Sequence, residues 1–342
     1  MKDSAQQLRK RLKKVGLSDL AINAAWPAWW SDEADASTSA KAELRFSIAR
    51  KLGLNPHSLL EDEQEPVFIW RDEARFKHLA HESESEKSAI TSFGAALGRV
   101  LISAQSNWSS ILGTSAQDLR NTILHSQPYV RLIDLISLCW SVGVPVVHLR
   151  VFPWRQKRMA AMSVGVDVRS AILLAKDSEY PAHIAFYLAH ELAHIALGHL
   201  VGQHVVVDFD DFYLFNPPDP PGMPDREEIA ADAYALELLT GESQPRVLST
   251  NQRFGARSLA DAALRASTPL RIEPGTLALC FGASTGDWRI ANGAIKYIYS
   301  SPSAVWQIVN QIALKQLSFA QIPEDFRLYL EAVLGMGTNV RK

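Results

Sequence analysis

Two histidines four residues apart, with a glutamate beside the first, constrain this chain more than anything else in it. The run HELAHIALGHL, from His190 to Leu200, continues the apolar stretch AHIAFYLA, from Ala182 to Ala189, without a glycine or proline between them. Such a run reads as a helix buried in a core, where its side chains are held rigidly. On a helix His190 and His194 project from one face, offset by about 40°. Imidazoles so placed can share one zinc ion, and Glu191 then stands where it can take the proton of an attacking water. The bland alternative is an amphipathic helix with two surface histidines, and the surrounding sequence argues against it.

Gly198 permits the helix to end. A glycine three residues beyond His194 and a histidine three further on would supply the third ligand locally, but those places hold Leu197 and Leu200. His199 falls about 180° from His190 by the helical period and is a poor ligand candidate. The third ligand must come from elsewhere, and the best source is REEIAADAYALELL, from Arg226 to Leu239, which has helical composition and no internal Gly or Pro. Glu228 and Asp232 share a face there. Glu228 can ligate the metal while Asp232 accepts a hydrogen bond from the free nitrogen of a ligand histidine. Glu227 is the fallback ligand. Two histidines and one glutamate with an open fourth position make a catalytic rather than a structural zinc site. Tyr234 and His199 are of the right types to stabilise an oxyanion, a role the sequence leaves unassigned.

HELAHIALGH followed by the E-x-x-A-D-A-Y-A-x-E-L-L pattern that starts at Glu228 resembles the ImmA/IrrE family of metallo-endopeptidases. VGVPVVHLR and MAAMSVGVDVRSAILLAKD resemble the strands that lead into that family's motif helix. The likeness covers roughly residues 130 to 240. It implies a zincin-like core, His190, His194 and Glu228 as zinc ligands, and Glu191 as catalytic base. Asp232 departs from many relatives, which carry Asn; either can accept a histidine proton. The resemblance also implies a narrow-specificity endopeptidase that cleaves a transcriptional repressor and so induces stress-response or mobile-element genes.

Composition bounds the rest. With 342 residues, 47% hydrophobic and 21% charged, the chain has room for two or three domains, and its net charge of −2 gives no global attraction to nucleic acid or anionic membrane. Cys139 and Cys280 both lie in apolar stretches, which suggests buried thiols in a reducing cytoplasm. No stretch is apolar for long enough to span a membrane, and the N-terminus lacks the apolar segment of a secretion signal. The expected class is α+β and predominantly α, in four segments. Residues 1–60 form a helical module resembling a repressor-type helix-turn-helix, 61–128 a helical linker region, 129–240 the peptidase domain and 241–342 a helical C-terminal region.

Within 1–60 the expected helices are Ala5 to Val15, one capped by Ser18, and Ala40 to Leu52. A recognition helix should fall around Trp26 to Ser39, yet that segment carries Asp32, Glu33 and Asp35 and no Lys or Arg. Phosphates would repel it, so DNA binding is not expected despite the basic set Arg9, Lys10, Arg11, Lys13 and Lys14. The module then reads as a partner-docking or a degenerate one using Trp26, Trp29 and Trp30. The rival to a peptidase is a DNA-binding or partner-binding regulator whose peptidase domain senses metal without turnover. His78 and His81 read as surface residues, and Asp208, Asp210 and Asp211 as a solvated turn. In the core, strands are expected at Val144 to Val151, Met159 to Val166 and Arg169 to Ala175. Ser170 to Lys176 is expected to lie beside the cleft as an edge strand that could receive extended substrate.

Overall fold

The computed structural model describes residues 4–61, 64–70, 74–76, 84–154, 159–201, 205–209, 226–248 and 254–337. Along these the chain forms α1 (Ala5–Lys14), α2 (Asp19–Ala25), α3 (Thr38–Leu52), α4 (Pro56–Leu60), β1 (Ala74–Phe76), α5 (Glu84–Ser103), α6 (Ala116–Leu124) and α7 (Leu132–Ser141). There follow β2 (Val146–His148), β3 (Met159–Val166), β4 (Arg169–Leu174), α8 (Pro181–Ala196), β5 (Val205–Phe209) and α9 (Arg226–Thr240). The last five helices are α10 (Ala256–Leu270), α11 (Pro274–Thr285), α12 (Trp288–Ile298), α13 (Val305–Gln316) and α14 (Glu324–Val333). The protein is thus predominantly helical with a small mixed sheet, the α+β class expected. His78, His81, Asp210 and Asp211 lie outside the described residues.

The sheet runs β1-β5-β3-β4-β2. β3 and β4 are a hairpin closed by Asp167 and Val168, with Val166 opposite Arg169; Asp167 takes the left-handed conformation that a two-residue turn demands. β5 pairs antiparallel to β3, while β1 and β2 lie parallel to β5 and β4. Both faces of β3 are covered, which is why MAAMSVGV reads as a continuous small and apolar run rather than an alternation. Met162 and Val164 face α5, which comes close because Gly94 and Gly98 present no side chain there: an added Cβ would meet Met162 Sδ at 2.1 Å or Val164 Cγ1 at 2.6 Å. Ser163, between them in sequence, points to the opposite face, toward α8.

Three expectations need correction. Ala74–Phe76 is a strand inside a region read as helical linker, and α5 starts only at Glu84. The segment Trp26 to Ser39 holds no recognition helix. Pro27 excludes Trp26 from the helical conformation, so α2 ends at Ala25 and a single 3-10 turn, Glu33–Ala36, precedes α3. Finally, β4 is not an edge strand, because it is paired on both sides, to β3 and β2. Nor is β2 open beyond it at His148. The side-chain amide of Asn310 in α13 accepts from the His148 N–H at 2.7 Å and donates to its C=O at 2.8 Å, standing in for a neighbouring strand.

One apolar core runs from Leu8 in α1 to Leu334 beyond α14, and a smaller one gathers α10, α11 and α12 against Ala182 of α8. α3 and α14 are fastened together. Lys51 of α3, 1% exposed, donates to Asp325 of α14 at 2.7 Å and to the Ala25 carbonyl at 3.1 Å, while the Tyr329 hydroxyl donates to the Lys51 carbonyl. Ser47 donates to the same Asp325.

Cys139 in α7 and Cys280 in α11 are both buried and unpaired, and burial pushes each thiol up to about 12. Only the thiolate attacks a disulfide. The native protein should therefore leave a colorimetric disulfide reagent unreacted at pH 8 and release two thiols per chain once denatured. Rapid release from the native state would contradict this packing.

Candidate metal centre

α8 is built to place its histidines accurately. Pro181 opens it at a position where a missing N–H costs nothing, and thirteen of its sixteen residues are buried. It packs on α7, α9, α11 and the sheet. α9 crosses it and is pinned at its far end by α6. The guanidinium of Arg120 donates to the carbonyls of Leu238 and Leu239 at 3.1 and 2.7 Å, and also to that of Arg271 at 2.7 Å. Carbonyls at a helix C-terminus lack partners within the helix, and a cation there also offsets the helix dipole. Tyr234 adds a hydrogen bond from its hydroxyl to the Thr114 carbonyl at 2.8 Å. That hydroxyl is committed to a loop before α6, which removes Tyr234 as a candidate for oxyanion stabilisation.

The crossing brings His190, His194 and Glu228 into one buried group that could hold a metal ion. The two histidines are 0% and Glu228 is 5% exposed. The Nε2 atoms of His190 and His194 are 3.0 Å apart, and they lie 3.3 Å from Oε2 and from Oε1 of the Glu228 carboxylate, respectively. One donor atom from each of the three residues lies within 4.8 Å of the others, close enough for a single cation to be shared among them. Glu227, one residue away, is not in this group.

What stands behind the ligands orients them. Asp232 Oδ1 lies 2.8 Å from His190 Nδ1. With the carboxylate as acceptor, the proton of this bond sits on Nδ1, which leaves Nε2 turned toward His194 and Glu228. His194 is held differently. Its Nδ1 lies 2.8 Å from Nδ1 of His199, a contact that helical extrapolation missed. α8 stops at Ala196, Gly198 turns left-handed at φ 79°, and His199 folds back so that its backbone N–H donates to the His194 carbonyl at 2.9 Å. The 3.6-residue period no longer applies past Gly198, and the signal available in the sequence was that glycine.

Glu191 is fully buried beside His190, facing the sheet. The hydroxyl of Ser163 on β3 lies 2.6 Å from its Oε2. The only signal of this contact along the chain was a lone polar residue in an apolar strand.

Removing Asp232 tests the support of His190. Asp232→Ala should weaken metal affinity about 10- to 100-fold, and Asp232→Asn, whose amide oxygen still accepts, should lose less. Zinc competition against a chromogenic chelator reads both; equal affinity in wild type and Asp232→Ala would remove Asp232 from the site.

In comparisons with known proteins, no family model, no curated protein and no solved structure matches the chain.

Proposed function

We propose that the protein is a zinc-dependent endopeptidase of the ImmA/IrrE kind, with a zincin-like core, which cleaves a transcriptional repressor at few sites. The observation that carries this reading is the buried His190, His194 and Glu228 group with a buried carboxylate, Glu191, on the residue next to the first ligand. Zinc, when bound, supplies a Lewis acid that polarises a carbonyl and makes water acidic enough to deprotonate near neutrality. Glu191 takes the proton of the attacking water on its carboxylate and delivers it to the leaving amine. Asp232 and His199 keep the two imidazoles turned with Nε2 inward. The substrate class rests on the resemblance carried by HELAHIALGH and the segment from Glu228.

The rival, a DNA-binding regulator without turnover, finds little support in the N-terminal module. Four of the five cations of α1 are already engaged. Arg9 lies 3.8 Å from the ring centroid of Trp26, Arg11 donates to the carbonyls of Ser58, Glu61 and Gln64, Lys13 pairs with Asp19 and Lys14 with Glu65. Each of these contacts offsets or occupies a charge that would otherwise be offered to phosphates. A cytoplasmic site of action is part of the proposal and agrees with two buried, unpaired thiols. Among the described residues no helix is long and apolar enough to cross a membrane.

The test is cleavage of a partner. The product of a repressor gene neighbouring this one is incubated with the zinc-loaded protein and with the chelated protein, and its intact mass is followed. One or two cuts, only with zinc, are expected. A repressor left whole in both, across the neighbouring candidates, removes this substrate class.

A further inference from the structure

Strand β3 has one polar side chain in its interior. Ser163 is 0% exposed, and its backbone is paired to Ile172 of β4 on one side and Val206 of β5 on the other. A strand in the middle of a sheet is among the least movable elements of a fold. Packing alone would place Ala or Val at this position, because a buried hydroxyl must find an acceptor. Ser163 finds one on α8: its Oγ lies 2.6 Å from Glu191 Oε2 and 3.1 Å from the Glu191 carbonyl oxygen. A hydroxyl has a single proton to give. The shorter distance is that of a charge-assisted bond to a carboxylate, so the proton is directed to the side chain.

We infer that Ser163 is a positioning residue for Glu191: a hydroxyl anchored on the central strand that fixes the carboxylate in one rotamer before substrate arrives. The inference rests on the peptidase reading of the site. A glutamate has three rotatable bonds, and a base must reach the proton it takes to within hydrogen-bond distance. The backbone of α8 sets where Glu191 starts, and Ser163 sets where its carboxylate ends. Each catalytic event then begins from an aligned base instead of a search among rotamers. The competing explanation is that Ser163 serves only the helix carbonyl or fills space, in which case its loss would leave the carboxylate where it is.

The experiment uses the full chain with Ser163→Ala, Ser163→Thr, Ser163→Cys and Glu191→Gln. Difference infrared spectra identify the Glu191 carboxylate stretch as the band lost in Glu191→Gln. In Ser163→Ala that band should shift, in metal-free and zinc-loaded protein alike. On a cleaved repressor, kcat of Ser163→Ala should fall about 10- to 100-fold, with KM and zinc content within about twofold of wild type. Ser163→Thr, which keeps the hydroxyl, should recover most of the loss. Ser163→Cys, close to serine in size and a weak donor, replaces the alanine variant if that one does not fold, with the same shift and fall expected. An unmoved carboxylate band overturns the inference, as does full kcat in the alanine variant of a wild type that cleaves. Equal losses in the Ala and Thr variants accompanied by a lower Tm overturn it in favour of packing. A wild type that binds zinc and cleaves nothing overturns the peptidase reading itself, and this role of Ser163 with it.

Discussion

Glu191→Gln should retain its zinc and lose cleavage. The substitution preserves size and helix propensity, and the amide oxygen can still accept from Ser163 Oγ, so α8 should pack as before. What disappears is the atom that holds the proton between water and leaving amine. General acid–base catalysis contributes about 10² to 10⁴ in rate, and kcat should fall by that factor while KM and zinc content stay near wild type. The measurement is the rate of appearance of cut repressor alongside elemental analysis of the same preparation. Full cleavage by a zinc-loaded Glu191→Gln protein would discard the base assignment. Full induction of the target genes by a variant that cuts nothing would show that the protein acts by binding alone.

The second large effect concerns the ion. His190→Ala and Glu228→Ala should each reduce bound zinc from one per chain to none after dialysis, whereas Glu227→Ala should keep it. A native-state ligand stabilises by RT ln(1 + [L]/Kd), about 4 kcal/mol at a thousandfold excess over Kd. Thermal melts should therefore rise on zinc addition for wild type and Glu227→Ala and stay put for the two ligand variants. Because His190 and Glu228 are buried, both ligand variants also lose packing, so the comparison is each variant with and without zinc. Retention of zinc by Glu228→Ala would discard the His-His-Glu group as the binding site.

The candidate metal group was legible because its geometry is local. His190 and His194 share a helix face by spacing alone, and Glu228 and Asp232 share another, so only the crossing of α8 and α9 had to be supplied by the fold. The hairpin of β3 and β4 was readable for a similar reason: its bounds follow from an apolar run interrupted by Val166, Asp167 and Val168. Contacts that depend on distant pairing were not. Ser163 meets Glu191 across 28 residues, and nothing local says that the sheet face carrying it turns toward α8. β1 is three residues long and is defined by its partner β5, far along the chain. The edge character of β4 was misjudged because β2 is equally short and because a side chain, Asn310, completes its border. His199 shows the limit of periodicity, which describes a helix only until the helix ends.

The fastening of α3 to α14 bears on how the chain comes off the ribosome. Lys51 and Asp325 are separated by 274 residues, so a cation destined for the interior waits for its counterion while those residues are made. At about 5 to 20 residues per second that interval is roughly 14 to 55 s. Throughout it the face of α3 that will meet α14 has no cover, and the ammonium of Lys51 can stay charged only by keeping water. Packing of this face of α3 is therefore completed only after α14 has been made, long after α3 itself.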